Sequence, residues 1–244
     1  MTHRGETAGA IQLVQAGQMD YAEAWALQRG LAAARRAGAV DDLLLLLQHP
    51  PTYTVGRRGT RRNLLIDDAT LAAIGATCYA VDRGGDITFH GPGQLVGYVI
   101  MDLGGAQRAV RRFVERLERI VIDTLAAFGV TGQIEPAHPG VWVDRDKIAA
   151  LGIAVRRGVT YHGFALNVDP DLRYFAYMIP CGIPDRGATS LARELQRPVR
   201  LAEVLPPLIE AVQATFAREV RRDLTLDDLR QIAGRAAAVQ AAGR

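Results

Sequence analysis

The sequence predicts a single α/β (α+β) domain with a mixed, largely antiparallel sheet flanked by helices, and three observations predict it. Short strand-like runs are joined by turn residues, as at Arg156-Arg157-Gly158; helical segments interrupt them without strict βαβ alternation; and 49% hydrophobic with 23% charged residues is the composition of a folded chain. No shift in composition and no Pro/Ser-rich linker divides the 244 residues, so 1–244 reads as one domain, with 1–19 and 236–244 expected to be its least ordered parts.

Each element has its own signal. Asp20 followed three residues later by Glu23 is a capping-box-like start, and Gly38 stops the helix that carries Trp25, Leu27 and Leu31. Leu43 to Leu47 is the longest unbroken aliphatic run, far short of the roughly 20 residues of a membrane helix, and with Gln48 it reads as a buried strand. Pro50-Pro51 breaks the chain, Thr52 to Val55 resumes it as a second strand, and the basic loop Arg57-Arg58-Gly59-Thr60-Arg61-Arg62 follows. A short helix from Asp68 to Ile74 leads to a strand, Thr77 to Val81, which enters a glycine-rich segment that the strand Leu95 to Leu103 leaves. From Ala106 to Phe128, Val110, Phe113, Leu117, Ile120, Val121 and Leu125 recur at helical spacing until Gly129 ends the run. Val141 to Val143, Lys147 to Val155 and Val159 to Val168 are strands again. After Pro180-Cys181-Gly182-Ile183-Pro184 come two or three helices, one after Pro206-Pro207 and one from Thr225.

Composition bounds the setting. A net charge of +3 and a pI near 9.1 favour an acidic partner. Met1-Thr2-His3-Arg4-Gly5-Glu6 leads into no apolar signal core, and the two cysteines, Cys78 and Cys181, form neither a disulfide framework nor a Cys-x-x-Cys pair, so a reduced, cytoplasmic protein that binds no metal is expected.

The segment Arg83-Gly84-Gly85-Asp86-Ile87-Thr88-Phe89-His90-Gly91-Pro92-Gly93-Gln94 packs four glycines and a proline into twelve residues. Such a backbone lets a ligand touch the main chain, although a plain turn between two strands is the alternative. No Gly-Lys-Ser/Thr follows, so it is not a phosphate loop, and it lacks the spacing of a dinucleotide fingerprint. Cys181, shaped by Pro180, Gly182 and Pro184, is the candidate nucleophile, whereas Cys78 reads as a strand core residue. A thiolate needs an imidazole or a cation beside it, and His90, His138, His162, Lys147 and the arginines are the candidates. Lys147 is the only lysine among 29 basic residues and heads an apolar strand. His162, among apolar neighbours, reads equally as a hydrogen-bonded core residue.

Taken together, Arg83-Gly84-Gly85 through His90-Gly91-Pro92-Gly93-Gln94, Lys147-Ile148 with Leu151-Gly152, His162-Gly163 with Leu166-Asn167, and Pro180-Cys181-Gly182 resemble the lipoyl(octanoyl) transferase family, in that order, over about residues 20 to 195. The resemblance implies the catalytic fold of lipoate ligases and biotin protein ligases. It implies transfer of an octanoyl group from acyl carrier protein to a lysine of lipoyl domains, those of 2-oxoacid dehydrogenases and the glycine cleavage H protein, by a monomer that needs no cofactor, membrane or nucleic acid. It makes Cys181 the acyl-thioester nucleophile and Lys147 the group that lowers its pKa. Arg83, Gly84, Gly85, Asp86, Ile87, Thr88, Phe89 and His90, Ala150, Leu151 and Gly152, and Gly163, Phe164 and Ala165 would line the acyl site, with His162, Gly93 and Gln94 in support. The chain departs from the family at Gln48, often Glu, at Asp86, often Gln, and at Phe89, often Tyr. An ATP-dependent lipoate or biotin ligase on the same fold would need no cysteine nucleophile, and a non-catalytic carrier-protein binder would leave Lys147 and Cys181 without a role. The arginines of 57–62 read either as a docking loop for the acidic carrier protein or as a solvated charged loop.

Overall fold

The computed structural model describes residues 9–104, 107–135, 138–179 and 186–242. Among them the chain runs β1 (Ile11–Gln18), α1 (Tyr21–Arg36), β2 (Leu43–Gln48), β3 (Thr52–Val55), α2 (Asp68–Ala73), β4 (Thr77–Ala80), β5 (Ile87–His90), β6 (Gln94–Ile100), α3 (Gln107–Ala126), β7 (Gln133–Ile134), β8 (Val141–Val143), β9 (Asp146–Arg156), β10 (Val159–Asn167), α4 (Leu191–Leu195), α5 (Leu201–Phe216), β11 (Val220–Arg221) and α6 (Leu226–Ala242).

Local chemistry sets the boundaries. Asp20 Oδ1 accepts from the Ala22 and Glu23 amides at 2.8 and 3.3 Å, opening α1, and Gly38 at φ +72° lies just past its end. In β2 the five leucines alternate between two cores, Leu44 and Leu46 on one face and Leu43, Leu45 and Leu47 on the other, which is why the run shows no polar alternation.

Eight strands form one sheet in the order β11-β1-β2-β6-β10-β9-β8-β7. Only β11–β1 and β1–β2 pair in parallel; the remaining neighbours are antiparallel. Helices α3 and α5 cover one face, α1 and α6 the other. A second sheet, β4-β3-β5, carries its own core with Leu71 of α2 and with Tyr174 and Phe175 from a 3-10 turn, Leu172–Tyr177. It lies over the α1 face and roofs the site.

Several elements differ from the sequence reading, which has no strand at β5, β7 or β11. Residues 11–18, expected there among the least ordered, form a strand parallel to β2, and burial of Ile11, Leu13 and Val14 explains it: β1, α1 and β2 make a crossover unit. Helix α5 begins before Pro206-Pro207 and continues through them. Glu203 Oε1 accepts from the Arg200 amide at 2.9 Å, and burial of Val204, Leu208, Ala211 and Val212 holds the helix where the prolines remove ladder bonds. The strand leaving the glycine-rich segment ends at Ile100; Asp102 adds one isolated bridge to Val159.

Candidate active site

The roof sheet, the α1 face of the main sheet and α3 enclose a cavity of about 1110 Å³, at the upper end of what small-molecule sites occupy. Its floor is made of small residues in register. Gly152, Gly163 and Tyr98 share one row across β9, β10 and β6; two residues along, Ala150, Ala165 and Val96 share another. The strand backbones are so close that a Cβ on Gly163 would stand 2.1 Å from the Gly97 carbonyl oxygen. The roof is fastened to the floor where the Gly84 amide donates to the Ile153 carbonyl at 2.8 Å, and a Cβ on Gly152 would meet the Gly84 carbonyl at 2.9 Å. Gly85 makes the turn at φ +88°, a conformation that favours glycine.

Arg83 is 7% exposed and anchors this roof: Nη2 donates to the Thr54 carbonyl at 2.6 Å and to Thr54 Oγ1 at 2.8 Å, and Nη1 to the Gly84 carbonyl at 3.0 Å. From Thr54 a directed hydrogen-bond chain crosses the cavity wall. Gln94 Nε2 donates to Asn167 Oδ1 at 2.9 Å and to the Phe89 carbonyl at 3.1 Å, so Gln94 Oε1 is left to accept. His90 therefore carries its proton on Nδ1, 2.9 Å from that oxygen, and turns a bare Nε2 toward the Thr54 hydroxyl at 3.4 Å. Burial, with His49 and Arg83 nearby, holds His90 well below the ordinary histidine range, which keeps the imidazole neutral. Asn167 Nδ2 donates to the Thr189 carbonyl at 2.9 Å, and the Thr189 amide to the Lys147 carbonyl at 3.1 Å. The roof is thus tied to the strand bearing Lys147 through side chains that have one way to bond.

At one end of the cavity stands His162. Its φ of +61° in the middle of β10 is a left-handed conformation that costs a non-glycine residue on the order of 1–3 kcal/mol. Buried Gln28 compensates by accepting from the His162 amide at 2.7 Å, and Asp82 Oδ1 holds ring Nε2 at 3.0 Å. Asp82 also accepts from Trp25 Nε1 at 3.1 Å and from the Tyr161 hydroxyl at 2.5 Å. Partial burial pushes the Asp82 carboxyl up, but these donors outweigh it and leave the group far below the usual carboxylate range. Burial pushes His162 down, against Asp82. An ionised Asp82 beside a neutral imidazole puts the proton on Nε2 and the lone pair on Nδ1.

Lys147 stands at the other end. Nζ donates to the Pro139 carbonyl at 3.3 Å and lies 4.7 Å from the centre of the Trp142 ring, which Arg186 also approaches at 4.9 Å. The lysine stem passes Gly140, where a Cβ would come 3.1 Å from Cε. The Lys147 amide donates to the Gly187 carbonyl at 3.1 Å. Cys181 lies outside the described residues; Ile179 and Arg186, the described residues on either side of 180–185, both line the cavity. His162 pairs with Ile153, six residues along β9 from Lys147, so about 20 Å separates the two positions at the rise of an antiparallel strand. His162 and Lys147 do not meet.

The cavity brings together Arg83, Gly84, Gly85, Asp86, Ile87, Thr88, His90, Gln94, Lys147, Ala150, Leu151, Gly152, His162, Gly163, Phe164 and Ala165. Phe89 and Gly93 are not among its lining residues. Strand alternation turns the Phe89 ring into the roof's own core, stacked 4.7 Å from Tyr174, so a hydroxyl there has no role in the cavity. Gly93, at φ +84°, serves a turn in which a Cβ would stand 2.2 Å from the Asp169 carbonyl. Asp86 Oδ2 accepts from Asn63 Nδ2 at 2.6 Å. Sequence reasoning missed Asp82, Thr54 and Tyr98, which act across strands with no local motif; His49 also escaped it, although Gln48-His49-Pro50-Pro51 marked its place. His49 Nδ1 donates to the Met19 carbonyl at 2.7 Å and its Nε2 accepts from the Tyr98 hydroxyl at 2.6 Å. Among the described residues no group of three His, Cys, Asp or Glu is placed to hold a metal ion, and no helix is long and apolar enough to cross a membrane.

Residues 20–213 match the family described as the lipoyl protein ligase A/B catalytic domain. An octanoyltransferase of Caldicellulosiruptor bescii is 42% identical over 218 residues, covering 88% of this chain and 94% of that protein. One of Rubrobacter xylanophilus is 50% identical over 190 residues, covering 77% and 85%. Among solved structures, a lipoate-protein ligase A bound with ATP superimposes with a TM-score of 0.72 at 15% identity over 93% of each chain. The bipartite lipoate protein ligase of Thermoplasma acidophilum, studied with its E2 lipoyl domain, gives 0.74 at 16% identity over 93% of this chain and 91% of that one. At such identities the structural likeness speaks for the fold.

Proposed function

Because this chain belongs to the lipoyl protein ligase A/B catalytic domain family and is an acyltransferase, we propose that it moves an octanoyl group from acyl carrier protein to a lysine of lipoyl domains through a thioester on Cys181. The acceptors are the lipoyl domains of 2-oxoacid dehydrogenases and the glycine cleavage H protein. The observation that carries the reading is a groove of small and aliphatic residues, Val96, Ala150, Gly152, Gly163 and Ala165, ending at the chain's only lysine.

In the first half-reaction the Cys181 thiolate attacks the carrier thioester. The new C–S bond forms as the old one breaks, and the Lys147 ammonium protonates the departing carrier thiolate. In the second, the acceptor amine attacks the Cys181 thioester, the C–S bond breaks to return the thiolate, and the Lys147 amine takes the proton the nitrogen sheds. An amide replaces a thioester, which drives the sequence forward without nucleotide. Backbone amides of the glycine-rich segment or of Gly182 hold the oxyanion, each worth about 3–4 kcal/mol in comparable sites. The tail lies in the groove, where each buried methylene contributes about 0.8 kcal/mol. The monomer acts in the cytoplasm, and the arginines of 57–62, all exposed, dock the carrier.

The test is intact mass after incubation with octanoyl carrier protein and no ATP. An octanoyl adduct that hydroxylamine removes, maps to Cys181 and passes to an added lipoyl domain is expected; transfer with no adduct, or only with ATP, would overturn the proposal.

A further inference from the structure

Segment 138–140, between β7 and β8, is bonded at each of its three residues. Trp142 Nε1 donates to the His138 carbonyl at 3.1 Å, Lys147 Nζ to the Pro139 carbonyl at 3.3 Å, and the Gly140 amide to Glu118 Oε1 at 3.4 Å. The last two bonds belong to the two poles of one peptide group, the Pro139 C=O and the Gly140 N–H. Glycine alone suits that position, because φ is +138° and a Cβ would stand 2.8 Å from the Ala149 carbonyl oxygen and 3.1 Å from Lys147 Cε. The peptide is thus set against β9 and the lysine stem, with a carboxylate at its N–H and the lysine amine at its C=O. Glu118 comes from α3. Val110 and Val114 of that helix line the cavity, and Glu118 follows them at the same four-residue spacing, 5% exposed on a helix whose Leu117, Ile120 and Val121 are core. A carboxylate so placed is costly unless a donor meets it, and the acyl-transfer steps give it no task of their own. Burial pushes its pKa up, against the Gly140 bond, and Glu115 adds to the rise.

Hydrogen bonds in series polarise one another. A carboxylate on the N–H makes the carbonyl of the same peptide a stronger acceptor, and a stronger acceptor favours the ammonium over the amine. We propose that Glu118 is a positioning residue for Lys147, acting through the Pro139-Gly140 peptide to aim the lysine's acceptor and to favour its ammonium form. The inference rests on the acyl-transfer reading, which gives Lys147 its proton transfers, and adds to it the residue behind the lysine. Among the described residues, the other charged or titratable groups around the two side chains are few. Glu115 lies on the same helix as Glu118; Arg186 approaches the Trp142 ring and pairs with Glu135; the His138 ring stands 6.4 Å from that of Trp142; and Asp146 Oδ1 accepts from the Gly187 amide at 3.0 Å. None of these bonds the Pro139-Gly140 peptide, so Glu118 can be changed without removing one of them.

The experiment follows the first half-reaction, octanoylation of the enzyme by octanoyl carrier protein in a single turnover read by intact mass. Wild type, Glu118→Gln, Lys147→Met and the double variant are compared from about pH 7 to about pH 10, the alkaline side, where Glu118 is a carboxylate even with its pKa raised. Glutamine keeps the side chain's shape and its acceptor for the Gly140 amide but not the charge. With the charge gone, the step that needs the ammonium should fail earlier as pH rises. Glu118→Gln should acylate about fivefold more slowly near pH 9, with the alkaline limb of its profile moved down by about half a pH unit, a coupling of the size found between contacting groups. In the Lys147→Met background the same change should alter the rate less than about twofold, because the group it acts on is absent. A wild-type profile in Glu118→Gln, or an equal loss in both backgrounds, would overturn the inference, since a merely structural role lowers both alike. Should Glu118→Gln not fold, Glu118→Asp, which keeps the charge but withdraws it from the Gly140 amide, carries the same cycle. A wild type that forms no adduct, or a Lys147→Met variant as fast as wild type, would overturn the underlying reading instead, so the two failures are distinct.

Discussion

The two ends of the cavity are built on opposite principles. Around Arg83, His90 and His162, polar side chains are buried and bonded to one another with fixed donor and acceptor roles, and the wall's backbone strain is offset by Gln28. Around Lys147 the charged groups are partly exposed: both Lys147 and Arg186 approach the Trp142 ring, Lys147 Nζ donates to the Pro139 carbonyl, and Arg186 pairs with Glu135. A buried network with one bonding pattern keeps a shape; a solvated cation on a flexible stem can give and take a proton. The first end is built to keep its shape, and the chemistry proposed above lies at the second.

The sharpest way to break this comparison is at Lys147. Lys147→Met should lower lipoyl-domain acylation by about 10²–10⁴-fold, the range of general acid–base catalysis, while the thermal midpoint stays close to wild type. Lys147→Arg keeps the charge and the stacking but cannot cycle a proton, so it should stay within tenfold of the Met variant. Wild-type turnover in either would place the proton transfers elsewhere.

Acid should instead attack the buried end. His49 is fully buried, and burial lowers its pKa to about 4 despite the Met19 carbonyl. A histidine whose folded pKa lies below its unfolded value of about 6.5 adds stability that is complete above pH 6.5 and is lost as pH falls toward 4; for His49 this amounts to about 3 kcal/mol. Asp82, held low by its donors, is lost in the same direction at still lower pH. Urea midpoints measured from pH 7.5 to 4.5 should fall, and His49→Gln should flatten the curve from a lower starting stability. A midpoint independent of pH over that window would contradict the neutral buried imidazoles.

The smallest effect is expected outside both ends. Arg57, Arg58, Arg61 and Arg62 are exposed, and Arg61 already pairs with Asp68. Exposed pairs contribute about 0–1 kcal/mol each, so replacing all four with Gln should raise the carrier KM severalfold at low salt and little at high salt, with kcat unchanged. An unchanged KM at low salt would remove the loop from carrier docking.

What the sequence by itself determined was local. The Asp20 cap, the five leucines of β2, the 3.6-residue period of α3 and the turn at Arg156-Arg157-Gly158 are fixed by side chains within one or two turns of each other, and these elements stand where their patterns place them. The glycines of 84–93 announced a backbone of unusual shape, and a family resemblance named their surroundings. Only the tertiary structure decided which of those residues face a ligand. Phe89 and His90 are adjacent in sequence, yet pleating sends one into the roof core and the other into the cavity. His162 and Asp82 are eighty positions apart and meet because β10 is threaded between β6 and β9 beneath the roof. Pairing across strands depends on register and on which face each residue takes, and neither is written in a residue's near neighbours.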